Sequence, residues 1–113
     1  MIIISATLEF ESREARDAAA YGSADLQKAT RDEEPGCLAY CFGIDPVVET
    51  RIQVYEQWAD AETLDAHFVH ENYVGMRTFL HSAGLVSSGA EKFRIDAVAP
   101  VYNADRTATA DFS

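Results

Sequence analysis

The sequence predicts an α+β domain: a four-stranded antiparallel sheet with helices on one face, its elements running β-α-β-β-α-β. Three observations carry that expectation. Apolar residues alternate as in strands at 2–10, 37–44, 51–58 and 91–98. Helical spacing of apolar residues fills the gap after the first of these and the stretch after the third. Turn-forming pairs, Pro35-Gly36 and Asp45-Pro46, punctuate the joints.

In residues 2–10, Ile2, Ile4, Ala6, Leu8 and Phe10 share one face and Ile3, Ser5, Thr7 and Glu9 the other, which is a half-buried strand. From Ser12 to about Asp32, Ala15, Ala19, Gly22, Leu26 and Ala29 recur every three or four residues, so the stretch reads as an amphipathic helix with a small-residue stripe. Glycine costs about 1 kcal/mol relative to alanine inside a helix, so Gly22 marks a candidate bend. In residues 37–44, Leu38, Tyr40, Phe42 and Ile44 oppose Cys37, Ala39, Cys41 and Gly43; with both faces apolar, this strand expects helices on one side and a second subunit on the other. Arg51–Trp58 follows as its antiparallel neighbour, with Ile52, Val54, Glu56 and Trp58 on one face.

Asp60 is placed to cap a short helix through about Phe68, because its carboxylate can accept from an N–H that has no partner inside the helix. A second helix is expected from about Asn72 to Ala83, with Gly84 positioned for a left-handed cap. Phe93, Ile95 and Ala97 then alternate with Lys92, Arg94, Asp96 and Val98 as the last strand. This order is the split βαβ, or ferredoxin-like, arrangement. We assign it to residues 1–98 and leave 99–113 as a polar C-terminal tail, disordered or exchanged with a partner subunit, to which Val101-Tyr102 can add an edge strand.

A chain of 113 residues suits one hydrophobic core, and 48% hydrophobic with 25% charged residues places it among globular domains rather than disordered segments. Its net charge of −10 opposes phosphate backbones and anionic membranes, so neither nucleic acid nor membrane is expected as a partner. Met1 leads into Ile2, Ile3 and Ile4 without a basic segment, too short an apolar run for a signal or a span, and the expected location is cytoplasmic. Cys37 and Cys41 stand four residues apart in a strand, roughly 13 Å, beyond disulfide reach.

Three segments together resemble the antibiotic biosynthesis monooxygenase family: Glu34-Pro35-Gly36-Cys37-Leu38-Ala39-Tyr40, Arg51-Ile52-Gln53-Val54-Tyr55-Glu56-Gln57-Trp58-Ala59-Asp60, and Leu64-Asp65-Ala66-His67. The resemblance implies ferredoxin-like monomers whose sheets meet face to face as a homodimer, forming a dimeric α+β barrel. It also implies an activity among those of the family: cofactor-independent oxidation of quinols or anthrone-like phenols, haem degradation, isomerisation, or ligand binding without chemistry. Relatives often carry Pro-His-Phe after the helix histidine, where this chain has Glu71-Asn72-Tyr73.

On that resemblance the expected reaction is cofactor-free oxidation of a small hydroxylated aromatic or quinol by O2. Trp58 ends a strand and His67 lies on the next helix, so both are candidate catalytic residues, and an imidazole with an ordinary pKa of about 6.5 can accept a phenol proton. Glu56, Tyr40, Tyr73 and Arg77 are candidate substrate-binding residues, Arg77 as the partner for a buried Glu56 charge; each has a packing role as its plainer reading. Haem is the one cofactor the resemblance keeps in view, through Trp58 and His67, though Ser5 or Thr7 stands where relatives have Asn. His67, His70 and Glu71 make at most half a metal site, so no metal is expected.

Overall fold

In the computed structural model, which describes residues 1–113, the elements run β1 (Ile2–Phe10), α1 (Arg13–Gly22), α2 (Ala24–Glu33), β2 (Cys37–Ile44), β3 (Arg51–Trp58), α3 (Ala61–Phe68), α4 (Glu71–Ser82) and β4 (Leu85–Arg94). Local chemistry sets the starts. The Ser12 hydroxyl accepts from the Ala15 N–H at 3.1 Å, and Asp60 forms a capping box with Thr63, accepting from its N–H at 2.8 Å. His70 caps α4 by accepting from the Asn72 N–H at Nδ1, 2.9 Å away, which commits that nitrogen. Gly84, with φ +91°, ends α4 in the left-handed conformation its position predicts.

The sheet order is β2-β3-β1-β4, antiparallel throughout. Register brings Ile4 and Tyr40 opposite Glu56, and Ala6 and Phe42 opposite Val54, so their side chains share the face on which the helices lie. That face, with Leu8, Phe10, Ile52 and Trp58, joins Ala19, Leu64, Met76 and Leu80 of the helices in one core. Ile3, Ser5, Thr7, Cys41, Tyr55 and Phe93 occupy the opposite face.

The expected barrel does not form. The sheet has two edges, β2 and β4, which do not pair with each other; a closed barrel with a filled interior takes about eight strands, and here helices fill the space over the sheet. The outward edge of β2 is occupied by α2: Gln27 Oε1 accepts from the Phe42 N–H at 3.1 Å, and Arg31 Nε donates to the Tyr40 carbonyl at 2.6 Å.

Four further expectations change. The helix expected over 12–32 divides at Ser23, next to Gly22, and the buried stripe shifts to include Arg16, Ser23, Gln27 and Thr30. These polar side chains are tolerated inside because each finds a partner; Arg16 Nη1 donates to the carbonyls of Asp45, Val48 and Arg51 at 3.0, 3.4 and 3.3 Å. A register shift between Cys37 and Ala39 turns Leu38 outward, 57% exposed, while the chain's own helices cover Tyr40 and Phe42. Those two therefore cannot form a subunit interface. The last strand lies at Leu85–Arg94 rather than 91–98, because residues with weak strand preference, Ser87 to Ala90, are drawn in by pairing along all of β1.

Beyond β4, Tyr102 and Ala108 bridge a small hairpin whose turn is tied by Asn103 Oδ1, accepting from Asp105 and Thr107 N–H groups. No helix is long and apolar enough to cross a membrane. Both cysteines are free.

Candidate functional site

The site begins at the turn between α2 and β2. Glu34 ends α2 in an extended conformation, and Gly36 follows with φ +81°, a region that disfavours other residues; a Cβ there would also sit 2.5 Å from the Thr63 side chain. The turn thus fits only glycine against α3, and it aims the Glu34 carboxylate inward. His67 Nδ1 lies 2.7 Å from Glu34 Oε1, and Asn72 Nδ2 donates to Glu34 Oε2 at 3.2 Å. A carboxylate that already accepts from Asn72 calls for a proton on His67 Nδ1, which leaves Nε2 as the unprotonated nitrogen of the neutral ring.

Trp58 lies against the same imidazole, ring centroids 4.5 Å apart, and its Nε1–H donates to Glu56 Oε1 at 3.0 Å. His67 Nε2 is 4.0 Å from that oxygen, too far for a hydrogen bond but close enough to feel its charge. Tyr40 and Tyr73 present their ring edges to His67 at 5.5 and 5.2 Å. With Phe68 at 5.9 Å, the imidazole is enclosed, 1% exposed, between two carboxylates and four aromatic rings.

Burial works on the two ends of this group in opposite ways. It pushes the Glu56 carboxyl up to about 7, against the lowering effect of the Trp58 hydrogen bond and with help from the Glu34 charge. Burial holds the His67 pKa below its usual value, although Glu34 pulls it upward. Burial also raises the Tyr40 phenol, with Glu56 and Glu34 adding to the effect, so it stays protonated. The Cys37 thiol is pushed up to about 11 by burial and by the same two carboxylates, which makes it a poor nucleophile at neutral pH.

A cavity of about 380 Å³ opens between α4 and the helix-covered face of the sheet, with wall residues from all four strands. Glu56 and Tyr40 are among the strand residues that line it, Tyr73, Met76 and Leu80 come from α4, and Arg77 and His81 complete the wall. Four of the expected site residues, Glu56, Tyr40, Tyr73 and Arg77, therefore face one cavity, whereas His67 and Trp58 stand behind Glu56 and do not line it. The expected Glu56–Arg77 pair is absent: Glu56 is held by Trp58 instead, and Arg77 is exposed and makes no ion pair. Oε2 of Glu56 makes no hydrogen bond within the protein.

Sequence reasoning noticed Glu34 only as part of a turn and Asn72 only as a departure from relatives. Nothing local marks either as part of the site, since their contacts with His67 and with each other span 33 and 38 residues of chain.

Residues 1–77 match the family model described as Antibiotic biosynthesis monooxygenase. The chain belongs to that family. Solved structures with the same fold include a Deinococcus radiodurans protein given provisionally as an antibiotic biosynthesis monooxygenase, 18% identical with a TM-score of 0.80, covering 91% of this chain and 100% of its own. A second, described as an antibiotic biosynthesis monooxygenase, is 26% identical with a TM-score of 0.70, covering 88% of this chain and 100% of its own. A third is PA3566 from Pseudomonas aeruginosa, 20% identical with a TM-score of 0.66, covering 85% and 94% respectively. No curated protein matches.

Within this family haem is the cofactor to test, and the residues do not fit it. His67 would have to ligate iron through Nε2, yet that atom faces Glu56 behind the cavity wall, and the ring is locked by Glu34 and packed against Trp58. No group of three or more His, Cys, Asp or Glu side chains is arranged to hold a metal ion.

Proposed function

We propose that this family member is a cofactor-independent monooxygenase that oxidises a small hydroxylated aromatic or quinol with O2. The observation that carries the reading is Glu56: a carboxyl on the wall of a largely apolar cavity, titrating near neutrality, with one oxygen held by Trp58 and the other free. Such a group is a general base matched to a phenolic proton at neutral pH.

In this mechanism Glu56 Oε2 accepts the hydroxyl proton and the electron-rich phenolate gives electrons to O2. The organic substrate supplies all four electrons, one oxygen atom enters the product and the other leaves as water, so no external reductant is required. Trp58 positions Glu56 through Nε1–H. His67, fixed by Glu34, is a positioning residue whose unprotonated Nε2 faces the same carboxylate. This moves the base from His67, as expected from the sequence, to Glu56.

Oxygen uptake by the purified, metal-free protein against hydroquinones and anthrones tests the proposal. Uptake above autoxidation that rises as pH passes through about 7 and falls at least about tenfold in Glu56→Gln supports it. Uptake that survives in Glu56→Gln sinks Glu56 as the base, and saturable binding without uptake turns the protein into a ligand-binding module.

We further propose that two copies pair through the open sheet face, where Tyr55 and Phe93 are both close to half exposed, with the 99–113 hairpin reaching the partner. A monomer by light scattering at micromolar concentration would remove this.

A further inference from the structure

We propose that the cavity is selective for an aromatic hydroxy acid, whose carboxylate rests against Arg77 and His81 while its hydroxyl reaches Glu56. The inference rests on the role given to Glu56 above and adds the substrate class. Arg77 and His81 are four residues apart on α4, so they present side by side on one face of the helix, and both line the cavity. Four of the nine lysines and arginines are ion-paired: Arg13 and Arg16 with Asp17, Lys28 with Asp32, and Arg51 with Glu9 and Asp45. Of the five without a carboxylate partner, Arg77 is the one that lines the main cavity.

A smaller recess of about 180 Å³ adjoins, sharing Ile4, Phe68 and Ala90 with the main cavity and adding Lys92, with Glu91 as the one acid beside it. In the sheet Lys92 stands opposite Ile4, itself opposite Glu56, so this recess lies in the Glu56 row and is separate from Arg77 and His81. The wall between Arg77 and His81 and Glu56 is apolar, built from side chains such as Tyr73, Met76 and Leu80. An occupant matched to this pattern has an aromatic body, a hydroxyl at one end and an anion at the other.

Calorimetric titration with 6-hydroxy-2-naphthoate and 2-naphthol, carried out anaerobically, tests the assignment. The acid is expected to bind about fivefold more tightly than the naphthol, the limit set by an exposed ion pair. Arg77→Gln should remove that difference while leaving 2-naphthol binding unchanged, and added salt should weaken the acid alone. Equal affinities, an equal effect of Arg77→Gln on both ligands, or no saturable binding of the acid overturns the proposal. Because no turnover is measured, the two readings fail separately: selective binding of the acid without oxygen uptake sinks the oxygenase and keeps the acid selectivity. Faster oxidation of neutral phenols does the reverse.

Discussion

The two edges of the sheet are managed differently. On the β2 side, α2 lies along the strand and its Gln27 and Arg31 satisfy outward backbone groups, Arg16 ties down the β2–β3 loop, and Glu34, His67 and Asn72 lock α2, α3 and α4 together. On the β4 side no such cover exists; of Leu85–Arg94 only Leu85 is even partly buried. The helix nearest to it, α4, is drawn sideways instead: a Cβ on Gly22 would lie 2.8 Å from Phe79, and one on Gly75 would lie 3.5 Å from Leu26. Close approach of α4 to α1 and α2 leaves β4 uncovered, and the cavity lies under α4 with a wall that draws on all four strands. The polar network that fixes three helices toward β2 thus leaves the β4 edge open.

The contrast is broken most severely by His67→Ala, which removes a ring packed on Trp58 and strips the buried Glu34 carboxylate of its closest partner. We expect a loss of about 4 kcal/mol, read from the denaturant midpoint. A loss below about 1 kcal/mol would mean that the network is not what holds the β2 half together.

Glu56, where the two halves meet, gives the next largest effect. Its folded pKa of about 7 lies above the ordinary 4.5, so the folded state keeps the proton longer than the unfolded chain. Its favourable contribution is full below pH 4.5 and is lost as pH rises toward 7. Glu56→Gln cannot ionise, so its stability relative to the parent should climb by on the order of 3 kcal/mol across that window. His67 runs the other way, its contribution being present above its usual value and lost as acid protonates it; because it is present in both proteins, the difference reports Glu56 together with its coupling to His67. A pH-independent difference would remove the raised Glu56 pKa.

Arg16→Met should cost about 2 kcal/mol, because a buried guanidinium that ties the loop down is lost, the Asp45 carbonyl is left without a donor, and those of Val48 and Arg51 keep only their backbone N–H partners. On the β4 half, Phe93→Ser should change the stability of a single copy by less than about 0.5 kcal/mol, since nearly half of that side chain already faces solvent. A larger effect that depends on protein concentration would place Phe93 in a subunit contact.

The outline of this fold was legible in the sequence where local chemistry decides structure. The alternation of Ile4, Ala6, Leu8 and Phe10, the Asp60 cap, the Pro35-Gly36 turn and the Gly84 stop each describe one segment, and each segment behaves as its residues require. The shifted last strand and the outward turn of Leu38 were not legible, because the register of a neighbouring strand sets them. The site divides in the same way. Residue type and position along the chain pointed to Trp58, His67, Glu56, Tyr40, Tyr73 and Arg77, and the strand order by itself implies that several of them lie near one another.

Only the tertiary structure decided which of them meet the cavity, that Glu34 and Asn72 hold the histidine, and that Glu56 rather than His67 reaches the cavity wall. The physical reason is range. Alternation, capping and turn propensity act over a few residues and are written locally, whereas the environment of a buried ionisable group is assembled from segments far apart in the chain, and so only folding sets its solvation and its hydrogen-bond partners.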